Sequence, residues 1–366
     1  MKIYFKLLEK TDIAVLDSHT GSIFSSLLDK YTISFIDIRK ESIHFFPLIK
    51  AIGKYLLSFL KEELSYLYLI EVIKTIKPKI CLSAQDANTV FYKLDKYFKD
   101  INFTTCQQGL KDDYCIDHFS DISGDYFAFG DAYKKLLNNN LTKIQIIGSL
   151  KSNMNILDRN KIKRICYISG FSGHPINSAV FRNVNYAEFA YVPHYCGLSI
   201  LNNFCINNNI DLVIASKSYR EPSKEKREKV FQSEYRLFRN ILGEEPKLIK
   251  SNAYETAGNS ELSVCDHSSL GYELIGRDCK VVFLNLVSYF HNEKSYKFGW
   301  PQKYDDKGAF WTNIYDTQYI NQMLTNIWEM NKDEYEKLIL PYKSVLMYYD
   351  KNNTKLIKHI ESIISN

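Results

Sequence analysis

The chain has 366 residues, 45% apolar and 24% charged, with a formal net charge of +5; this excludes a disordered or low-complexity protein and leaves room for two domains with cores of their own. The densest basic cluster, Lys224 to Arg227 with Arg236 and Arg239, alternates with Glu225, Glu228 and Glu234, the pattern of a solvated helix face rather than of a nucleic-acid-binding stripe, with a weak attraction to anionic lipid left open. Eight scattered cysteines show no CxxC pair or Cys/His metal spacing and read as reduced core residues of a cytosolic protein.

The first residues, Met1 to Phe5, lead into a mixed segment with Glu9, Lys10 and Asp12, unlike a signal peptide. Ile13–Leu16, Thr32–Ile36, Ile80–Ser83 and Phe103–Cys106 are predicted strands, with helical periodicity over 45–75 between them. Within that region the longest apolar candidate, Ala51 to Ile76, is broken by Lys54, Lys61, Glu62, Glu63, Glu71 and Lys74 and cannot span a bilayer. Each strand runs into small or polar residues at its carboxyl end: Asp17-Ser18-His19, Asp37, Gln85-Asp86 and Gln107-Gln108-Gly109. In an open parallel sheet that edge is where ligands bind.

Tyr126–Asp131 and Ile144–Ser149 read as the last two strands of this half, with a helix over Ala132–Asn140. Residues 151–163 are polar and follow neither period, and are read as the connector between a first domain, 1–150, and a second, 164–315. There strands over Arg164–Ile168, Asp211–Ala215 and Lys247–Ile249 alternate with helices over 185–207 and 221–242, and 316–366 is helical in period. The expected fold class is α/β: two doubly wound Rossmann-like domains facing a cleft, with C-terminal helices packing back across them.

The stretch Leu262-Ser-Val-Cys-Asp-His-Ser-Ser-Leu-Gly-Tyr-Glu-Leu-Ile275 places two hydroxyls, a glycine and a carboxylate at a strand-to-helix junction. Ser268 and Ser269 can cap the helix and donate to a phosphate, and the amides of the first turn add donors and partial positive charge. Glu273, about one turn on, can accept both hydroxyls of a ribose, and the apolar run over 279–285 is the next buried strand. An ordinary helix N-cap followed by a surface glutamate reads the same way. The turn Ser169-Gly170-Phe171-Ser172-Gly173-His174-Pro175 follows the first strand of the second domain. Gly170 and Gly173 let backbone approach a ligand and Ser172 and His174 offer donors, without GxGxxG or P-loop spacing, so a plain glycine-rich connection stays open. Lys217 and Arg220, after the strand Asp211–Ala215, suit a phosphate or carboxylate, or a solvated helix start. In the first domain, Gln108, Asp112 and Asp113 stand at the presumed cleft, where an aspartate can serve as the base for an acceptor hydroxyl or be an ordinary turn residue. His118, His194 and His291 read as structural, and the aromatic segments 298–301 and 308–311 either close over a base or sugar or seal the domain interface.

The order of these motifs resembles a bacterial family of surface carbohydrate biosynthesis proteins found in lipopolysaccharide and capsule gene clusters. The matching pieces are Gln108-Gly109, Phe129-Gly130-Asp131 with Ile147-Gly148-Ser149, Tyr167-Ile168-Ser169, Leu212–Ala215, His267-Ser268-Ser269-Leu270-Gly271-Tyr272-Glu273, and Phe298-Gly299-Trp300-Pro301 with Phe310-Trp311-Thr312. The resemblance implies a GT-B glycosyltransferase with an N-terminal acceptor domain and a C-terminal nucleotide-sugar domain. The Ser-Ser and Glu are similar to those of transferases using CMP-activated acidic sugars such as Kdo and sialic acids. It implies that Ser268 and Ser269 meet the nucleotide phosphate and Glu273 the ribose, with His267 in the same nucleotide site. His174-Pro175 is similar to the His-Pro motif of some sialyltransferases but stands at a different place in the domain. The expectation is a cytoplasmic, metal-independent transferase with a nucleotide-sugar donor, a glycan or lipid-linked glycan acceptor and a peripheral contact with the inner membrane. The alternatives are a UDP-sugar or CDP-polyol donor, or a non-catalytic nucleotide-sugar-binding scaffold.

Overall fold

The computed structural model describes residues 2–37, 42–57, 63–111, 122–134, 136–137, 142–155, 157, 161–170, 180–181, 184–220 and 223–365. The chain divides into two compact units: Met1–Gly109 with Tyr114–Met154 and Asp350–Asn366, and Leu110–Asp113 with Asn155–Tyr349. The passage between them falls at Met154/Asn155, inside the stretch read as a connector, of which 151–154 closes the short helix Leu150–Met154. The C-terminal segment is shared: helices Thr317–Glu329 and Lys332–Leu346 belong to the second unit and Thr354–Ile364 to the first.

The first unit carries six parallel strands, β1 Ile13–Leu16, β2 Ile33–Ile36, β3 Ile80–Ser83, β4 Asn102–Cys106, β5 Gly124–Ala128 and β6 Thr142–Ile146, ordered β2-β1-β3-β4-β5-β6. Strands covered on both faces read as continuous apolar runs, and every residue of β1 and β3 is buried. Helix Leu64–Ile76 covers part of the sheet region with Leu67, Ile70 and Ile73 turned inward. Helix Thr89–Tyr97 starts where the Asn88 side chain accepts from the Val90 and Phe91 amides at 3.1 and 3.3 Å, an ordinary N-cap. Where a helix is expected over Ala132–Asn140, one 3-10 turn, Asp131–Tyr133, is found, and 135 and 138–140 lie outside the described residues. Lys2–Tyr4 pairs in parallel with Ser42–His44, a small ribbon that the sequence did not announce.

The second unit carries β7 Ile162–Ile168, β8 Asp211–Ala215, β9 Leu248–Ile249, β10 Ser260–Cys265, β11 Val281–Leu284, β12 Lys307–Gly308 and β13 Trp311–Thr312, ordered β9-β8-β7-β10-β11-β13-β12, all parallel except β12. Of the segments 298–301 and 308–311, Phe298, Gly299, Phe310 and Trp311 are buried in this unit. The Phe298 and Trp311 rings stack at 4.4 Å, and the Gly299 amide donates to the Tyr272 hydroxyl at 2.9 Å. Seven cysteines are described, all unpaired and six of them buried. No helix of the described residues is long and apolar enough to cross a membrane.

The helix Lys224–Leu242 corrects one reading. It is capped by Ser223, whose hydroxyl accepts from the Lys226 amide, and closed by Gly243 at φ 73°, a left-handed position that suits glycine. Its Lys and Arg residues do face solvent, but Glu234 is fully buried. It falls in helical step with Leu237, Phe238 and Ile241, which are buried too, so its place on the inward face was already in the spacing.

Candidate functional site

The first strand of the second sheet, β7, lies between β8 and β10, and Ile168, Ala215 and Cys265 stand level at their carboxyl ends. The chain reverses its direction of strand addition here, the place where doubly wound sheets bind ligands. The three loops that follow share one pocket of about 100 Å³, lined by Ser169 and Gly170, by Ser216 and Lys217, and by His267, Ser268 and Ser269 among others.

Each side has a local cause. Ser268 is the extended N-cap of helix Ser269–Gly276, its hydroxyl oxygen accepting from the Leu270 amide at 3.3 Å; the hydroxyl proton is then available to an anion. The helix can lie hard against β10 and β11 because Gly271 has no side chain: a methyl there would collide with Cys265 Sγ and the Phe283 ring. Gly170 has a similar reason, since a Cβ would come within 3.2 Å of the His194 ring. Lys217 reaches back over the first loop, its ammonium 3.5 Å from the Gly170 carbonyl oxygen.

Beneath the pocket Glu234 ties two loops together. Its carboxylate accepts from Ser169 Oγ at 2.6 Å, from the Lys217 amide at 3.0 Å and from Ser216 Oγ. Burial pushes this carboxyl above its ordinary value, against the pull of those donors. Ser169 and Ser216 therefore spend their protons on Glu234, and the pocket lining also carries the donor side chains of Lys217, Ser268 and Ser269. A cation, two hydroxyls and a helix N-terminus around one small pocket are the chemistry of an anion site.

Two further buried groups stand beside it. Asp266, between β10 and Ser268, is pushed up to about 8 by burial although the Leu286 and Val287 amides donate to it. His194 is pushed down to about 4, by burial first and by the Lys217 charge second, and its Nδ1 is 2.5 Å from the Tyr167 hydroxyl. The His194 ring packs against Gly170 behind the pocket lining.

The predicted residues thus fall into three groups. Gly170, Lys217, His267, Ser268 and Ser269 come together around the pocket. Glu273 sits one turn along the same helix, buried and outside the pocket lining, whereas a surface position was the alternative. Arg220 ends the 3-10 turn Lys217–Arg220, and Gln108 is exposed in the loop after β4. Its neighbour Gln107 is the one built in, its amide accepting from Phe129 N at 2.9 Å and donating to Gly109 O at 3.0 Å. Asp112, Asp113, Ser172, Gly173 and His174 lie outside the described residues. Sequence reasoning missed the roles of Glu234, Asp266 and Ser216; the first was legible from helical spacing, and the others stood at strand ends without a motif.

A family model described as "putative O-antigen biosynthesis protein" matches residues 97–364. No curated protein sequence matches the chain. Among solved structures, S. aureus MnaA with UDP is similar at a TM-score of 0.53 and 12% identity, covering 98% of this chain and 97% of that one. The UDP-GlcNAc 2-epimerase of Neisseria meningitidis bound to UDP-GlcNAc gives 0.51 at 13% identity over 99% and 100% of the two chains. The sucrose-phosphate synthase of Thermosynechococcus elongatus gives 0.51 at 9% identity over 96% and 99%. These likenesses show a shared α/β fold of the GT-B type.

Proposed function

The chain belongs to the O-antigen biosynthesis family matched over residues 97–364, and from that premise we propose that it is a glycosyltransferase of surface polysaccharide assembly that takes its sugar from a nucleotide-linked donor. The observation that carries the reading is the convergence of Lys217, Ser268 and Ser269 on one pocket at the carboxyl edge of the second sheet. The donor phosphate binds there, Glu273 meets the ribose, and Arg220 adds charge toward the phosphate or a sugar carboxylate. The loop holding Gln108, Asp112 and Asp113, where the chain passes out of the first unit after Gly109, handles the acceptor, one aspartate taking the proton of the attacking hydroxyl, with His174 as the other candidate proton carrier.

The donor we favour is a CMP-linked acidic sugar such as Kdo or a nonulosonate. CMP leaves as a phosphate monoester dianion, which a lysine, two hydroxyls and helix amides can stabilise without a metal. A second reading has a specific support: two structural relatives are described with UDP or UDP-GlcNAc, which favours a UDP-sugar.

Thermal-shift titration of the full chain with CMP, CDP, UDP and GDP, with and without Mg²⁺, separates these. Stabilisation selective for CMP and indifferent to metal supports the first donor, and selectivity for UDP supports the second. The double variant Ser268→Ala/Ser269→Ala is expected to weaken the preferred nucleotide by 10-fold or more, about 1.4 kcal/mol or above. Unchanged affinity in that variant sinks the phosphate assignment, and turnover retained after loss of Asp112 and Asp113 removes the proposed base.

A further inference from the structure

The first unit carries an apolar surface that the sugar-transfer reading does not use. Among the described residues, nine of the seventeen exposed large apolar side chains lie in just two segments, 3–7 and 46–57. Phe5 and Leu7 are each 66% exposed, Ile49 50%, Leu56 64% and Leu57 80%. The two segments form one surface. Lys2–Tyr4 pairs with Ser42–His44, which runs straight into helix Phe45–Leu57, and the Phe5 and Phe45 rings meet at 4.9 Å.

The helix has the wrong side apolar for a protein that meets only water. Pro47 and Ala51 are its buried residues, while Phe46, Ile49, Gly53 and Leu56, at steps of three, four and three, face out. A stripe at helical spacing turned to solvent marks a surface that docks on something apolar. Its charge says what. Lys2, Lys6, Lys10 and Lys50 are exposed around it, and Glu9, which Lys6 pairs at 2.9 Å, is the single carboxylate of residues 2–10 and 45–57. Lys54, by contrast, is held to the buried Glu71 of the next helix. Aromatic and aliphatic side chains ringed by lysines are the composition of an element that lies in the plane of an anionic lipid interface.

We propose that residues 2–7 and helix Phe45–Leu57 form a membrane-docking face that binds the surface of an anionic bilayer, seating apolar side chains among the acyl chains while lysines meet the headgroups. This face differs from the basic helix Lys224–Leu242, whose exposed surface carries no such apolar stripe, and it does not depend on what the second unit's pocket binds.

Flotation of the full chain with phosphatidylcholine vesicles, with and without 30% phosphatidylglycerol, tests it. Binding to the anionic vesicles is expected, falling several-fold between low salt and 0.5 M NaCl. The variant Phe5→Ser/Ile49→Ser/Leu56→Ser should lose at least 10-fold in vesicle affinity while keeping the wild-type melting temperature. Lys2→Glu/Lys6→Glu/Lys50→Glu, a second and independent alteration, should abolish the preference for phosphatidylglycerol. Wild-type protein that fails to float, or variants that float as well as wild type, overturn the proposal. A stable dimer that the serine variant dissociates, with no vesicle binding, overturns it in favour of a contact between copies.

Discussion

Asp266 shows how one position can be chemically distinct while its sequence neighbours take the attention. The carboxyl sits between a strand and the Ser268 cap, and its ordinary value of 3.8 is raised to about 8 by burial. The folded protein therefore holds this proton more tightly than the unfolded chain does. The associated stability is complete below about pH 4 and is lost as pH rises through about 8. Asp266→Asn removes that dependence and keeps an oxygen for the Leu286 and Val287 amides. Melting temperatures of wild type and variant should diverge as pH rises from about 4 to about 8, the variant gaining relative stability across that interval, and run parallel above it; parallel behaviour throughout that interval would count against the buried, proton-holding state. Ser268 and Ser269, by contrast, were legible as they stand, because an N-cap hydroxyl acts on amides two or three residues away and needs no distant partner.

Helix Lys224–Leu242 makes the same contrast between elements. Its existence, cap and solvated basic face all follow from local spacing. That one of its glutamates reaches through to two loops does not, since Ser169 and Ser216 are 65 and 18 residues from Glu234. Removing the carboxylate orphans those hydroxyls and the Lys217 amide together. Glu234→Ala is expected to cost about 3 kcal/mol of stability and to weaken nucleotide binding, because the Gly170 and Lys217 loops lose their tether. Glu234→Gln, which keeps an acceptor oxygen, should recover part of both. Chemical denaturation alongside nucleotide titration reads the two effects, and equal loss in both variants would show that charge rather than acceptance matters. Of the expected helix over Ala132–Asn140, the described residues show one 3-10 turn at its start, where the Asp131 and Lys134 side chains pair at 2.5 Å.

For the whole molecule, the chain leaves the first unit at Met154 and returns to it at Asp350. The return is anchored by polar groups: Asn153 donates to Asn353 at 2.8 Å and accepts from the Asp350 amide at 3.0 Å. Leu356 and Ile360 then join Ile13, Val15, Leu82 and Phe127 in one core. Leu356→Ala and Ile360→Ala should each cost about 2–5 kcal/mol, with hydrogen-exchange protection lost across β1, β3 and β5 while β10 keeps its own; uniform loss over both sheets would refute that local assignment. The sequence by itself determined two series of parallel-strand units and the Ser268 cap, since periodicity and capping act over a few residues. Only the tertiary structure decided that three strand ends share a pocket over Glu234, that the last helix completes the first core, and that helix Phe45–Leu57 turns an apolar stripe outward. Each of these depends on which distant segments meet, and burial and charge are properties of that meeting rather than of the residues alone.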